Sequence, residues 1–314
     1  MRFDYAPMEG LTDSIYRQLH QKWFPGIHRY YTPFFSPTIH RCLTNREERE
    51  LPMADILKVE TVPQVLTKVA EDFLWMARQC RDRGYRRINL NLGCPSGTVV
   101  SKGKGSGMLA DRWALDDFLE AIFKEEVLPI SVKTRVGISD EEEFPALLDI
   151  FNQYPIQELI IHPRVRKDFY ESPVRMDAFR YGVEHSKIPL CYNGNLCSLS
   201  QIRNFSEEFP QIDAVMLGRG LTGDPGMLTP GGTTAEALEG FFGELLEAYI
   251  SQFGGPRNAM FRLKENWRYL IHRFEDSEKL GKRLRKTTDV QEYRAITAEI
   301  FHTLPLKKEL EPDW

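Results

Sequence analysis

Cysteine is scarce in this chain: its 314 residues hold five, Cys42, Cys80, Cys94, Cys191 and Cys197. The number is odd, and no two of them form a C-x-x-C pair or a Cys/His zinc spacing, which argues against a disulfide scaffold or a structural metal. Long apolar runs are missing too. No segment approaches the ~18 apolar residues of a membrane span, and the start, Met1-Arg-Phe-Asp-Tyr-Ala-Pro7, lacks an apolar signal core. No membrane contact and a reducing, cytoplasmic setting are expected. Nor is positive charge in excess: 41 Lys and Arg meet 45 Asp and Glu, a net charge of −4. That excludes a globally basic nucleic-acid coat, though not a local basic patch. Nucleotide-loop signatures also fail. Lys102-Gly-Lys-Gly-Ser-Gly-Met108 fits neither the Walker pattern nor G-x-G-x-x-G, because Met108 takes the last glycine's place. It reads as a mobile lid beside Cys94 or as a plain flexible loop.

What the chain has is globular composition, 42% apolar and 27% charged, sufficient for a sizeable core. Eight strand-like runs, at 3–7, 29–34, 56–60, 87–92, 130–136, 158–162, 188–192 and 214–217, alternate with helical stretches. The clearest helix is expected over 65–79, with Val65, Val69, Phe73 and Met76 on one face and Gly84 to stop it. This rhythm predicts an α/β fold, a (β/α)8 TIM barrel of about 250 residues or less. After Thr229 the rhythm ends at Pro230-Gly-Gly-Thr-Thr234, and helices are expected over 235–253, 258–276 and 290–302. The division is therefore a barrel over 1–230 and a small all-α helical domain over 231–314. Residues 257–308 carry 13 Lys or Arg against 7 Asp or Glu, either a basic grip or a solvated helix face.

A barrel gathers its chemistry where strands end and loops begin. Met8, Asn91 with Cys94, Lys133 with Arg135, His162, Asn193 with Gly194, and Gly218 with Arg219 all fall at such ends. Cys94 at a loop start serves as nucleophile, as acid or as an inert buried thiol. Lys133 and Arg135, two apart on a strand, point to one side, where a lysine stabilises negative charge on a cofactor or simply faces solvent. Asn193-Gly-Asn195 and Gly218-Arg-Gly220 are phosphate-type turns after the last two strands, or tight turns only. His162 bonds a phosphate or ring edge, or is structural.

These residues together resemble the FMN-dependent tRNA-dihydrouridine synthases, flavin enzymes that reduce uridine in RNA. The matching motifs are Ala6-Pro-Met-Glu-Gly-Leu-Thr-Asp13, Gln64, Asn89 to Ser96, Val132-Lys-Thr-Arg-Val-Gly137, Ile161-His-Pro-Arg164, Asn193-Gly194 and Val215-Met-Leu-Gly-Arg-Gly220. The resemblance implies that Pro7, Met8, Glu9 and Gln64 pack around the flavin ring of FMN, that Lys133 and His162 contact it, and that Asn193, Gly194, Asn195, Gly218 and Arg219 hold its phosphate. Cys94 is implied as the proton donor, and Asn91 and Arg135 as holding the uracil. NADPH is the implied reductant, reaching the same mouth in the absence of a Rossmann fingerprint. The implied partner is RNA, above all tRNA, gripped by the tail through Arg262, Lys264 and Arg268, with the chain acting as a monomer. Asn195 departs from the family's usual aspartate, Pro163 from its glycine, and Gly226 from a bulky aromatic; Tyr30-Tyr-Thr-Pro-Phe-Phe35 is also atypical. An FMN-dependent reductase of a small molecule is the alternative on the same barrel; a third reading is an RNA-binding barrel without catalysis.

Overall fold

Residues 88–92, Ile-Asn-Leu-Asn-Leu, alternate apolar and amide side chains, and a strand turns such alternation into two faces. In the computed structural model, which describes residues 1–310 and 312, Ile88, Leu90 and Leu92 join the large outer core while Asn89 and Asn91 face the other way. The strands are β1 (Arg2–Tyr5), β2 (Arg29–Tyr31), β3 (Glu60–Val62), β4 (Gln64–Val65), β5 (Ile88–Leu92), β6 (Ile130–Gly137), β7 (Glu158–Val165), β8 (Leu190–Tyr192) and β9 (Ala214–Leu217). All pair in parallel, in the order β3-β2-β1-β9-β8-β7-β6-β5-β4. β3 and β4 are two halves of one strand broken at Pro63, which has no N–H to offer a ladder. The first half pairs with β2 and the second with β5, so the chain itself closes the ring. Nine segments thus make the eight staves of a (β/α)8 barrel.

The helices of the barrel are α1 (Ser14–Trp23), α2 (Asn45–Glu50), α3 (Ala70–Asp82), α4 (Gly97–Val100), α5 (Arg112–Phe123), α6 (Phe144–Phe151), α7 (Met176–His185), α8 (Leu199–Glu208) and α9 (Arg219–Gly223). Four more follow: α10 (Ala235–Phe253), α11 (Pro256–Leu270), α12 (Glu278–Lys286) and α13 (Val290–Thr303). The helical segment shares the barrel's outer core, for Phe241 of α10 meets Tyr16 of α1 and Phe24 edge-on at 5.4 and 5.3 Å. No helix among the described residues is long and apolar enough to cross a membrane.

Several elements differ from expectation; the helix expected over 258–276, for one, ends at Leu270 and gives way to a 3-10 turn over Ile271–Arg273. The third strand lies at 60–65 and not at 56–60, because Ala54–Ile56 forms a 3-10 turn that leaves Ile56 exposed. The helix expected over 65–79 begins at Ala70, because Val65 is needed in β4 to close the ring. α12 has only Leu280, Gly281 and Leu284 buried, an apolar stripe too narrow to stand out among its charges. β7 also runs three residues past His162, and the register shift between Arg135 and Gly137 accommodates Pro163.

Inside the ring, Ala6, Tyr31, Val62, Ile160, Cys191, Ala214 and Met216 form a separate apolar layer. Below it the amino-terminal end is closed by charge. Arg2 bonds Asp4 and Glu158, Arg29 reaches Glu158 at 3.7 Å and Glu60 at 2.9 Å, and Arg87 reaches Glu60 at 2.6 Å. Asp4, Glu158 and Cys191 bring ligand-type atoms within 4.8 Å of one another, but the arginines already supply the cationic partners there. Burial outweighs Arg2 and pushes the Asp4 carboxyl up to about 6.

The native state therefore binds the Asp4 proton more tightly than the unfolded chain does. This contribution to stability is full below about pH 4 and is lost as pH rises through about 6. In urea unfolding series at fixed pH, the wild type is expected to lose stability relative to Asp4→Asn between pH 4 and 7. A constant difference between the two would contradict the burial argument.

Candidate active site

Asn89 and Asn91 project into the barrel, where a line of side-chain amides crosses from β6 to the loop after β5. Asn89 Nδ2 donates to Ser131 Oγ at 2.9 Å, Gln64 Nε2 to Asn89 Oδ1 at 2.7 Å, and Asn91 Nδ2 to Gln64 Oε1 at 2.7 Å. Asn91 Oδ1 then accepts the backbone N–H groups of Gly93 and Cys94 at 3.0 and 2.9 Å. Asn91 and Gln64 therefore set the position of Cys94. From the other side, Ser106 donates both its backbone N–H and its hydroxyl to the Cys94 carbonyl, at 3.1 and 2.8 Å. That second contact ties the glycine-rich loop down, and Gly105, at φ +58, has no room for a Cβ beside the Cys94 carbonyl. Burial pushes the Cys94 thiol up, against a smaller opposite pull from the Ser96 backbone and from Arg135 and Lys133. The thiol keeps its proton at neutral pH.

Lys133 and Arg135 alternate inward from β6, as His162 and Arg164 do from β7, with Arg135 opposite His162 in the ladder. Arg135 is fully buried and gives its protons to three carbonyls: Nε to Gly93 at 3.0 Å, Nη1 to Val165 at 2.7 Å and Nη2 to Phe169 at 2.6 Å. Its hydrogen bonds join the Cys94 loop to the loop after β7. Arg164 donates to the Ser172 carbonyl at 2.7 Å, to His162 Nε2 at 2.9 Å and to Asn195 Oδ1 at 3.3 Å. Arg219 donates to the same Asn195 oxygen at 2.7 Å. Burial first, then the charges of Lys133, Arg135, Arg164 and Arg219, hold the His162 pKa far below its ordinary value. His162 is thus neutral, and because its Nε2 accepts from Arg164 its proton sits on Nδ1. Lys133 is lowered to about 8, by burial and then by Arg135. Among the described residues none of these four cations is ion-paired with a carboxylate.

A cleft gathers part of this set, lined by Ala6, Pro7, Met8, Lys133, His162, Tyr170, Asn193, Gly194, Asn195, Cys197, Gly218, Arg219 and Gly220, with Cys94, Arg135 and Arg164 outside its lining. Asn193 fixes its floor by donating Nδ2 to the Met216 carbonyl at 2.7 Å. A Cβ on Gly220 would stand only 2.4 Å from the Leu196 carbonyl oxygen, and one on Gly218 3.2 Å from Met8 Sδ, so the turn after β9 runs against its neighbours at Gly220 as only glycine allows. Glu9 is not among these groups. It is exposed and pairs with Arg46 of α2 at 2.5 Å.

Two residues of the mouth were not singled out in the sequence. Arg164 follows His162 by two, the spacing already noted for Lys133 and Arg135, but Pro163 between them hides the strand. Tyr170 lies in the loop after β7, where no periodicity operates; its ring stacks on His162 at 5.9 Å and lies over Arg135 and Arg219 at 5.2 and 5.4 Å. The three tail cations sit apart from the cleft. Arg262 pairs with Asp13 at 2.8 Å, Lys264 donates to the Arg285 and Thr287 carbonyls at 2.7 Å each, and exposed Arg268 pairs with Glu265 at 3.3 Å.

Asn91→Ala leaves two backbone N–H groups without their acceptor, a loss of ~1–3 kcal/mol in the folded state. Chemical denaturation should register it, and alkylation of Cys94 by iodoacetamide should accelerate as its loop loosens. Unchanged stability and alkylation would remove Asn91 from this role.

The family model described as dihydrouridine synthase matches residues 4–295. A probable tRNA-dihydrouridine synthase of Rickettsia bellii is 27% identical over 232 residues, covering 71% of this chain and 68% of the relative. A probable tRNA-dihydrouridine synthase of Rhizobium leguminosarum bv. phaseoli is 25% identical over 315 residues, covering 95% and 94%. Among solved structures, a morphinone reductase variant in complex with tetrahydroNAD superposes with a TM-score of 0.53 at 9% identity, over 72% of this chain and 85% of the other. A 2-naphthoyl-CoA reductase complex does so with 0.55 at 10%, over 82% and 50%. At such identities these two establish the barrel fold alone. The family match spans both the barrel and most of the helical segment, and with it the motifs that build the cleft: the chain belongs to the dihydrouridine synthase family and is an oxidoreductase of that family.

Proposed function

We propose that this protein reduces the carbon 5 to carbon 6 double bond of a uridine in tRNA, using FMN and taking its electrons from NADPH. The observation that carries the proposal is the gathering of four cations without a carboxylate partner around glycine turns, one loop away from a protonated thiol. That donor set fits a flavin mononucleotide. Arg219 and Arg164, together with the Asn193-Gly-Asn195 and Gly218-Arg-Gly220 turns, match a phosphate; Pro7, Met8 and Lys133 line the space for the ring. Bound there, FMN supplies the hydride that ends on carbon 6 of the uracil. Lys133, still a cation at neutral pH with its pKa lowered to about 8, would stand beside the ring, where negative charge would hold its proton more firmly. His162, neutral and carrying its proton on Nδ1, offers a donor to the same site. Cys94 holds at Sγ the proton that carbon 5 requires and recovers it from water afterwards. Arg135, with its donors already on three carbonyls, holds the Cys94 loop against the loop that carries Tyr170, and Tyr170 offers an aromatic face to a base unstacked from RNA.

A test replaces Cys94 by alanine and maps dihydrouridine across cellular RNA with and without the gene. The wild type is expected to restore the modification at defined tRNA positions. Cys94→Ala is expected to bind FMN and accept electrons from NADPH while losing most RNA reduction, by the ~10²–10⁴-fold typical of a positioned acid. Equal dihydrouridine in both would remove Cys94 as the acid. Reduction of free uracil or an enone without any RNA product would favour the small-molecule reductase.

For the RNA grip, the exposed cations Lys68 and Lys102 beside the Cys94 loop, and Lys279, Lys282 and Lys286 on α12, are free of ion pairs among the described residues. Arg262 and Lys264 are committed within the protein. Lys68→Ala with Lys102→Ala is expected to weaken tRNA binding and to flatten its salt dependence by ~0.7–0.9 per lost phosphate contact, measured by filter binding at several salt concentrations. An unchanged slope would place the grip elsewhere.

A further inference from the structure

Two loops that line the proposed flavin site are also the places where the helical segment reaches into the barrel. The first follows β1 and carries Pro7 and Met8; it ends at buried Asp13. Asp13 Oδ1 caps α1 through the Tyr16 N–H at 3.0 Å and accepts the Tyr249 hydroxyl of α10 at 2.9 Å, while Oδ2 accepts Arg262 Nη2 of α11 at 2.8 Å. The Arg262 guanidinium also lies over the Tyr249 ring at 5.9 Å, and its Nη1 is 3.5 Å from where a Cβ of Gly10 would stand. It therefore covers the loop as well as pairing with its end.

The second loop follows β9 and carries Gly218 and Arg219 into α9. It ends at Asp224, whose N–H donates to the Gly220 carbonyl at 2.8 Å and whose Oδ1 accepts the Thr233 hydroxyl. Asp224 Oδ2 lies 3.1 Å from Arg273 Nε, with both side chains only 7% exposed. Arg273 stands in the turn that directly follows α11, and α11 itself packs on α9. Between the two arginines in sequence, Asn266 is fully buried with neither amide atom hydrogen-bonded among the described residues, and Arg273 Nε and Nη1 likewise make no hydrogen bond, so at Asp224 the contact is charge attraction alone.

We propose that Arg262 and Arg273 are positioning residues for the cofactor: acting through Asp13 and Asp224, they clamp the β1 and β9 loops, so that the helical segment sets the affinity of the barrel for FMN. The proposal rests on the flavin reading above. Its physical basis is the cost of an unpaired charge, since removing one arginine leaves a buried carboxylate without its cation. The loop then shifts to reach water, and Met8 or Arg219 moves with it. Neither arginine lines the cleft, so a change in cofactor binding has to travel through the loops.

The test measures FMN dissociation constants by quenching of flavin fluorescence, with the full chain stripped of flavin and reloaded, alongside chemical denaturation of the flavin-free protein. Arg262→Met and Arg273→Met are expected to weaken FMN binding about tenfold, the factor that ~1.4 kcal/mol makes, and to alter the visible circular dichroism of the bound flavin. Arg262→Lys, which keeps the charge, should recover part of the affinity. Arg283→Ala, which breaks the Arg283–Glu299 pair inside the helical segment, should lower stability slightly and leave FMN affinity at the wild-type value. Arg219→Ala, in the cleft itself, gives the scale of a direct loss. Wild-type affinity and dichroism in the folded fraction of both methionine variants would overturn the proposal, as would an equal loss in Arg283→Ala. If the wild-type chain binds no FMN, it is the flavin reading that fails, and Asp13 and Asp224 remain fold anchors.

Discussion

A buried guanidinium with no ion-pair partner among the described residues ties together the two loops beside the cleft. Arg135 is fully buried, is ion-paired with no carboxylate among the described residues, and is solvated by three carbonyl dipoles taken from two different loops. A charge in that position would cost several kcal/mol without such partners, so neither loop moves unless the charge is exposed. One partner, Phe169, has a φ of 46°, a positive value uncommon for a non-glycine residue, and its carbonyl is an acceptor that Arg135 engages. The neighbouring Tyr170 thereby comes to lie over the mouth. The same positive charge helps to lower Lys133 and to keep His162 neutral. One side chain thus helps, with Asn91 and with burial, to fix where Cys94 stands and in which protonation states its neighbours meet a ligand.

Much of this was legible in the sequence because a strand has a period of two. Asn89 and Asn91, Lys133 and Arg135, and the mixed runs that hold them announce which side of each stave is polar, and the glycine turns after the last two strands announce where backbone comes close. What the alternation could not disclose is where each donor goes. The family resemblance implies that Asn91 holds the uracil, and nothing in the alternation discloses that it accepts two backbone N–H groups and donates to Gln64. Arg262 and Lys264 count toward a basic tail, yet their protons go to Asp13 and to carbonyls at the end of α12. Composition reports charge; it is silent about its partners. The split of the third strand at Pro63 was equally hidden, because ring closure is a constraint between strands and has no local signal.

The chain's acidic total and its basic carboxyl-terminal segment are reconciled by where the charges lie. Several tail cations are paired within the helical segment, as with Arg283 and Glu299 and Arg294 and Glu247, while Lys22 of the barrel reaches across to Glu244 of α10. Exposed pairs of this kind add little to stability, about 0–1 kcal/mol each. The helices are joined to the barrel chiefly by a shared core in which Phe241, Phe242, Trp267 and Phe301 continue the aromatic packing begun by Tyr16 and Phe24. The positive φ values at Gly231 and Gly232 mark a turn between the two parts, not a gap in their packing.

Asn195 replaces the aspartate usual in the family, and the substitution reaches beyond one hydrogen bond. Its oxygen accepts from Arg164 and Arg219 together, so two guanidiniums share a neutral acceptor where a carboxylate would have cancelled one charge. The two guanidiniums therefore repel each other across Asn195, a repulsion that a phosphate bound there as proposed would relieve. A ligand that binds only the folded chain stabilises it by mass action, and here the gain includes the release of that repulsion. In a cell poor in flavin, newly made copies would be the more easily unfolded and cleared, so the supply of cofactor would govern how much of this protein persists as well as how much of it works.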